Sequence, residues 1–263
     1  MPPSPTADAA DRRVGGLAVY HRAGPPAAPR VVFVHGSMDR GAAFVKSARL
    51  LRDLDLVRYD RRGYGRSVGA GLARTVDEQV DDLVAVLDGQ PSVVIGHSMG
   101  GVIALATAEL HPDLVRSVGC YEAPMPWLEW WPGSSAGGAA VSVDDGPEAA
   151  AERFMRRIIG DEHWERLPGG TQAQRRAEGP ALLADLRAVR TEEAPFELAL
   201  LPVPVVAGHG SVTAERHRLA TRALAEGAPH AELVVIDGAA HHAPVTHPEA
   251  FAGLVRRAVA RGA

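Results

Sequence analysis

The stretch IGHSMGG, Ile95 to Gly101, sets a serine in the pattern G-x-S-x-G. A serine hydroxyl becomes a useful nucleophile only when a neighbouring base takes its proton and a third group steadies that base. The flanks give the pattern weight. The β-branched run Ser92-Val93-Val94-Ile95 precedes it and the apolar stretch Gly101 to Leu110 follows. A serine on such a sharp strand-to-helix turn has its Oγ exposed. The glycines let backbone and helix crowd together, and the helix N-terminus favours negative charge. Ser98 is therefore the candidate nucleophile; the competing reading is a serine that merely caps a helix. The base must be a histidine. Four lie near the C-terminus: His230, His241, His242 and His247.

The chain must fold so that these distant residues meet. Short apolar runs recur: Arg30 to Val34, Leu54 to Tyr59, Ser92 to Ile95, Val115 to Cys120, Val203 to Ala207 and Glu232 to Ile236. They are brief and β-branched, so they predict strands. Val14 to Tyr20 adds an N-terminal hairpin strand. Between them, Thr75 to Leu87, Gly101 to Leu110 and Pro248 to Ala260 carry helical spacing. Alternating strands and helices predict a mostly parallel sheet covered on both faces. Residues 124–202 break the alternation. They open with PMPWLEWWPGSSAGG and continue with helical patterns at Pro147 to Ile159 and Gln172 to Arg190, the second interrupted near Pro180. This segment is expected to form a helical cap inserted between two halves of a core, residues 14–123 and 203–263. Residues 1–13 are expected to be a disordered lead-in.

Composition narrows the partners. With 263 residues the chain can bury one large core, and a net charge of -4 gives no reason to expect nucleic acid or an anionic membrane. All but one of the 28 basic residues are arginines, scattered and often beside acids, which reads as solvated surface. The sole cysteine, Cys120, lies inside a strand pattern and reads as core. No apolar run approaches the ~20 residues of a membrane span, and no signal-peptide pattern opens the chain, so a cytoplasmic location is expected. The histidines lack helical zinc-site spacing, so no metal or other cofactor is expected.

Several motifs together resemble the α/β-hydrolase fold superfamily. Beside the serine turn, VVFVHGS at Val31 to Ser37 is similar to that family's strand and oxyanion loop. YDRRGYGRS at Tyr59 to Ser67 is similar to its next strand and turn, and GAAHHAPVTHPEAF at Gly238 to Phe251 to its catalytic-histidine loop and last helix. The resemblance spans about Val14 to the C-terminus and implies roles. His241 falls on the catalytic position, with His242 beside it as the lesser candidate. The backbone N–H groups of Ser37 and Met99 would hold the oxyanion. His35 and His97 would be structural. The family's acid commonly follows the strand at Val203 to Ala207 in a G-x-x-D turn, but here that turn ends in Ser211. A serine cannot supply the charge. Parallel strand ends converge on one edge, so Glu122, just after the preceding strand, is the expected acid. Glu215 and a bare Ser98–His241 dyad remain alternatives.

These residues imply a serine hydrolase acting on a small carboxylic ester or lactone, with carbon–carbon or thioester cleavage as alternative chemistry on the same residues. A non-catalytic small-molecule receptor is the contrasting class, since Ser211 departs from the pattern. The expected pocket wall is Trp127, Trp130, Trp131 and Phe154. Oligomeric state is not legible.

Overall fold

The computed structural model of the protein describes residues 11–191 and 193–263. The expected lead-in falls mostly outside them, but its last residues do not match that reading. Arg12–Val14 form strand β1, paired antiparallel with β2 (Leu17–Arg22) across a Gly15-Gly16 turn. Both turn glycines have positive φ, the conformation a tight hairpin requires. The hairpin is thus a two-stranded sheet edge that begins before Val14.

Six further strands complete one sheet: β3 (Arg30–Val34), β4 (Asp55–Tyr59), β5 (Ser92–His97), β6 (Val115–Tyr121), β7 (Val205–Gly210) and β8 (Ala231–Ile236). The strand order is β1-β2-β4-β3-β5-β6-β7-β8. β2 joins β4 antiparallel, and β3 onward is parallel throughout. β4 and β5 lie on opposite sides of β3, so the order reverses there. A crevice opens outside the carboxyl ends of β3 and β5, the usual ligand side of such a sheet.

Helices cover both faces. α1 (Val45–Ala48), α10 (Ala243–Thr246) and α11 (Pro248–Arg261) lie on one, where Phe44, Ala48, Phe251 and Leu254 pack on Phe33 and Ile95. α2 (Val76–Leu87), α3 (Met99–Leu110) and α9 (Glu215–Gly227) lie on the other, where Leu83, Val102 and Leu224 pack with Val94 and Val118. Thr75 caps α2 by accepting from the Glu78 N–H at 3.1 Å, which sets its start. α3 is buried along nearly its whole length, which is why its sequence is apolar on every side.

Between β6 and β7 the described residues form five α-helices, a short 3-10 turn at Leu198–Leu200 and no strand: α4 (Ala136–Ala140), α5 (Pro147–Ile159), α6 (Asp161–Arg166), α7 (Gly169–Ala177) and α8 (Gly179–Ala188). A third apolar cluster, with Ala151, Met155, Trp164 and Leu182, joins them to Met38 and Tyr64 of the core loops. Asp185 on α8 anchors the contact. Its carboxylate accepts from the Arg61 guanidinium at 2.8 and 3.0 Å, from the hydroxyls of Ser37 and Tyr64 at 2.7 Å, and from the Gln79 amide at 3.0 Å. Glu178 makes a second buried anchor, accepting from Arg40 at 2.6 Å and from the Gly65 N–H at 2.9 Å.

Removing one partner of a buried pair leaves the other charge uncompensated, at a cost of about 3–5 kcal/mol. Asp185→Asn is therefore expected to lower unfolding free energy by about that much in urea titrations at neutral pH. A change within about 0.5 kcal/mol would show that the anchor contributes nothing. Burial alone would raise the Asp185 carboxyl above its ordinary 3.8, but Arg61 and the Ser37 and Tyr64 hydroxyls hold it below that value. The folded state thus binds this proton less tightly than the unfolded chain does. The stabilisation is complete above pH of about 4 and is lost as pH falls through the depressed folded value. Wild type should lose stability in that acid window more steeply than Asp185→Asn; equal slopes would contradict the assignment.

Candidate active site

Ser98 follows β5 directly and opens α3. Its backbone is left-handed, φ 54° and ψ −125°, a strained conformation for a residue with a Cβ. Two contacts hold it. The Ser98 N–H donates to Tyr121 O at 2.9 Å, and the Gly101 N–H donates to Ser98 O at 2.8 Å. The surrounding glycines are demanded by space. A Cβ on Gly96 would collide with the Gly100 carbonyl, and one on Gly100 with the Val34 carbonyl. Helix α3 thus presses onto the end of β3, and the loop after β3 comes against the serine. A Cβ on Gly36 would lie 2.9 Å from Ser98 Cβ and 3.5 Å from its Oγ. Ser37 and Met99, whose N–H groups the sequence marks as oxyanion donors, both line the cavity that Ser98 lines.

His35 secures that loop. Its Nε2 accepts from the Arg61 N–H at 2.8 Å, so Nδ1 carries the proton and donates to Gly36 O at 2.7 Å. Burial and the Arg61 charge push its pKa well below 6.5, and it stays neutral. The Arg61 Nε–H closes the loop by donating to His35 O at 2.8 Å. His35 is thus spent on structure, as the family resemblance implies.

His241 reaches the site from the loop after β8. Its Nδ1 lies 2.7 Å from Glu122 Oε2. Glu122 stands just beyond β6, fully buried, and like Ser98 it has a left-handed backbone, φ 52°. Its Oε1 accepts from the Gly210 N–H at 2.9 Å and its Oε2 from the Thr213 hydroxyl at 2.9 Å. Burial alone would push this carboxyl up. The bond and charge of His241, with the Gly210 and Thr213 donors, overcome that and hold it below the usual carboxylate range. An ionised Glu122 fixes the His241 proton on Nδ1 and leaves Nε2 as the free acceptor.

The other candidates are placed elsewhere. Ser211 Oγ lies 3.0 Å from Asp237 Oδ1 and accepts from the Gly238 N–H at 2.8 Å, so it braces the histidine loop. Glu215 is exposed in the first turn of α9. His242 packs edge-on to His241, its pKa pushed down to about 4 mainly by burial. His97 donates from Nε2 to His241 O at 2.8 Å, which makes it a support for the histidine loop. Cys120 is buried among core residues, where burial raises its thiol to about 12, far from thiolate chemistry.

His217, which the sequence reading passed over, stacks on His241 with ring centroids 4.5 Å apart and planes at 22°. It is buried on α9, with its Nδ1 unpartnered among the described residues, and burial drives its pKa well below 6.5. Glu122, His217 and His241 bring ligand atoms within 4.8 Å of one another. A metal ion lies in the plane of each imidazole that binds it, and two rings stacked face to face direct their lone pairs along separate, near-parallel planes. The arrangement suits a stack that holds His241 upright rather than an ion.

Two cavities meet at Ser37, Ser98 and His241. Trp131 and Phe154 line the first, with Ile158, Leu186 and Val189. Trp127 and Trp130 do not line it, contrary to the sequence reading. Trp127 packs edge-on against Phe196, centroids 5.5 Å apart, and joins the main core cluster. Trp130 is 43% exposed and leans on Trp131 from outside. The Trp-rich stretch thus divides between fastening the inserted segment and lining the pocket.

Comparison with known proteins agrees with this architecture. The profile of the alpha/beta hydrolase family matches residues 31–254. A pimeloyl-(acyl-carrier protein) methyl ester esterase from Yersinia enterocolitica is 30% identical over 237 residues, covering 86% of this chain and 91% of that protein. Lipase LipV from Mycobacterium tuberculosis is 37% identical over a shorter stretch of 100 residues, 37% of this chain and 38% of the lipase. The crystal structure of an enol-lactonase from Burkholderia xenovorans superposes with a TM-score of 0.71 at 22% identity, covering 94% of this chain and 98% of that one. No helix among the described residues is long and apolar enough to cross a membrane. With a serine turn after β5, a histidine loop after β8 and a family match across most of its length, the chain belongs to the alpha/beta hydrolase family.

Proposed function

We propose that the protein is a serine hydrolase of carboxylic esters, with Ser98 as nucleophile, His241 as general base and acid, and Glu122 as the charge that orients and stabilises His241. The observation that carries this reading is the 2.7 Å contact between His241 Nδ1 and a fully buried, ionised Glu122, beside a cavity that Ser98 and His241 share. A binding-only scaffold has no use for a buried carboxylate fed by three donors and aimed at a histidine. The esterase and lipase relatives support the same class of bond.

His241 Nε2 takes the Ser98 proton as Oγ attacks the ester carbonyl. The developing oxyanion faces the N–H groups of Ser37 and Met99, each of which contributes about two to three orders of magnitude in rate where such donors have been removed. His241, protonated and steadied by Glu122, passes its proton to the departing alkoxide. Water, deprotonated by His241, then cleaves the acyl-enzyme and restores Ser98. The two cavities that meet at Ser98 give the acyl and alcohol portions separate room.

Initial rates on 4-nitrophenyl esters of rising acyl length test the proposal. Wild type should turn over, and Ser98→Ala and His241→Ala should each lose about three or more orders of magnitude in kcat. A fluorophosphonate should add one adduct to wild type and none to Ser98→Ala, read by intact mass. Folded wild type that neither hydrolyses the panel nor takes the label would overturn the reading. Glu122→Gln keeps the side-chain shape but removes the charge, and should lower kcat by at least about a hundredfold with little change in KM. Near-full activity in that variant would leave Ser98 and His241 as a dyad.

A further inference from the structure

The wall of the first cavity holds two arginines. Arg216, at the start of α9, lines it next to His217, and Arg190, just past α8, lines it from the inserted segment. The Nε of Arg216 is buried and has no hydrogen-bond partner, and neither arginine has an acidic partner among the described residues. Arg216 is half-buried and Arg190 exposed, whereas three arginines at the junction of the inserted helices and the core each meet an acid. Arg61 is bound by Asp185, and Arg40 and Arg175 meet Glu178. Arg157, which has no acidic partner among the described residues, adds positive potential near Arg216. Among the described residues, Asp185 lines this cavity and Glu122 lies near enough to act on Arg216, and both are spent. Glu122 is engaged by His241, Gly210 and Thr213. Asp185 is neutralised by Arg61. Trp131, Phe154, Ile158, Leu186 and Val189 give the cavity a broad apolar wall.

Burying a guanidinium without a counter-charge is costly, and a guanidinium fork matches a carboxylate or phosphate. We infer that this cavity is built for an ester that carries an anionic group some carbons away from the scissile bond, with Arg216 and Arg190 holding the anion and the apolar wall holding the intervening chain. The inference rests on the ester-hydrolase reading for which bond is cleaved, but the anion subsite can be tested by binding alone. The burial of Arg216 Nε beside the His217–His241 stack sets the subsite within the catalytic cavity rather than on the outer surface.

The test compares esters of equal length with and without the charge. kcat/KM is measured for 4-nitrophenyl hexanoate, for the mono-4-nitrophenyl ester of adipic acid, and for 4-carboxyphenyl hexanoate, which moves the anion to the alcohol side. Wild type should prefer one of the two anionic esters over its neutral counterpart by about tenfold or more, the scale of one charge-assisted hydrogen bond. In Arg216→Gln and in the Arg190→Gln/Arg216→Gln double variant the ratio should fall towards one. Arg257→Gln, which removes an exposed arginine of α11 instead, should leave the ratio as in wild type. The preference should also shrink with added salt. Calorimetric titration with adipate and hexanoate supplies the arm that needs no turnover: adipate should bind more tightly to wild type, and lose at least tenfold in Arg216→Gln.

Hydrolysis of the neutral ester with no anionic preference on either side would overturn the subsite and leave the hydrolase reading intact. A preference unchanged in the double variant would overturn the assignment to these residues. No hydrolysis of any ester, yet selective adipate binding lost in Arg216→Gln, would uphold the subsite and sink the reaction. Equal binding of adipate and hexanoate, without turnover, would sink both.

Discussion

The buried pairing of Arg61 with Asp185 is the contact on which the rest of the site depends. Arg61 holds the His35 carbonyl and ring nitrogen from one side, which fixes the loop that leads to Ser37. From the other side it grips a carboxylate on α8, and that carboxylate also holds the Ser37 hydroxyl. A single ion pair thus ties the oxyanion loop, the turn after β4 and the inserted helices into one unit. Buried ion pairs add little net stability against a well-packed apolar replacement. Their advantage is directional: five donors in a planar fork allow one arrangement, where apolar packing would allow several. The loop that carries Ser37 against Ser98 is held to one arrangement by that restriction.

Strain is the second constraint. Ser98 and Glu122 are non-glycine residues with left-handed backbones, each at the carboxyl end of one of two adjacent parallel strands. Such conformations cost on the order of 1–3 kcal/mol each and persist only where the surroundings over-determine them. Here each is braced by the next strand: Ser98 N–H bonds to Tyr121 O, and Glu122 N–H bonds to Gly208 O. The sheet therefore passes order along its edge, from β5 through β6 to β7. Both chains turn abruptly off the sheet, which throws their side chains into the crevice instead of onto a face.

Much of this was legible in the chain. Strand runs and helical spacing gave the element order because burial in a parallel sheet demands continuous β-branched segments and α3 demands apolar residues all round. Glu122 could be singled out because it directly follows a strand beside the serine's, where its carboxylate ends at the same edge of the sheet. What escaped was side-chain chemistry placed by packing. Asp185 lies on the face of α8 that carries Ala181, Leu182, Ala188 and Val189, so an acid on an apolar stripe was the available signal. His217 likewise shares the buried face of α9 with Ala220, Thr221 and Leu224. The three tryptophans were inseparable in sequence because their roles depend on which way each turn of an irregular segment faces. The pairing state of the arginines was equally hidden, since scattered arginines beside acids look alike until the fold decides which find partners.

The altered turn after β7 shows how the site tolerates a missing acid. Gly210 and Thr213 each donate to Glu122, so the turn supplies two hydrogen bonds to a charge carried by another strand's end. A Cβ on Gly210 would strike the Ala239 carbonyl, so the turn sits tight against the histidine loop. Ser211 fastens the same loop through Asp237 and the Gly238 N–H. The electrostatic task and the positioning task are separable: the charge can come from the end of β6, while the turn after β7 still fixes where His241 stands. Relocation works because neighbouring parallel strands end at one edge, so a carboxylate one strand over needs only a longer side chain and donors to keep it ionised. Serine at this turn therefore leaves a buried, ionised carboxylate beside His241 in place.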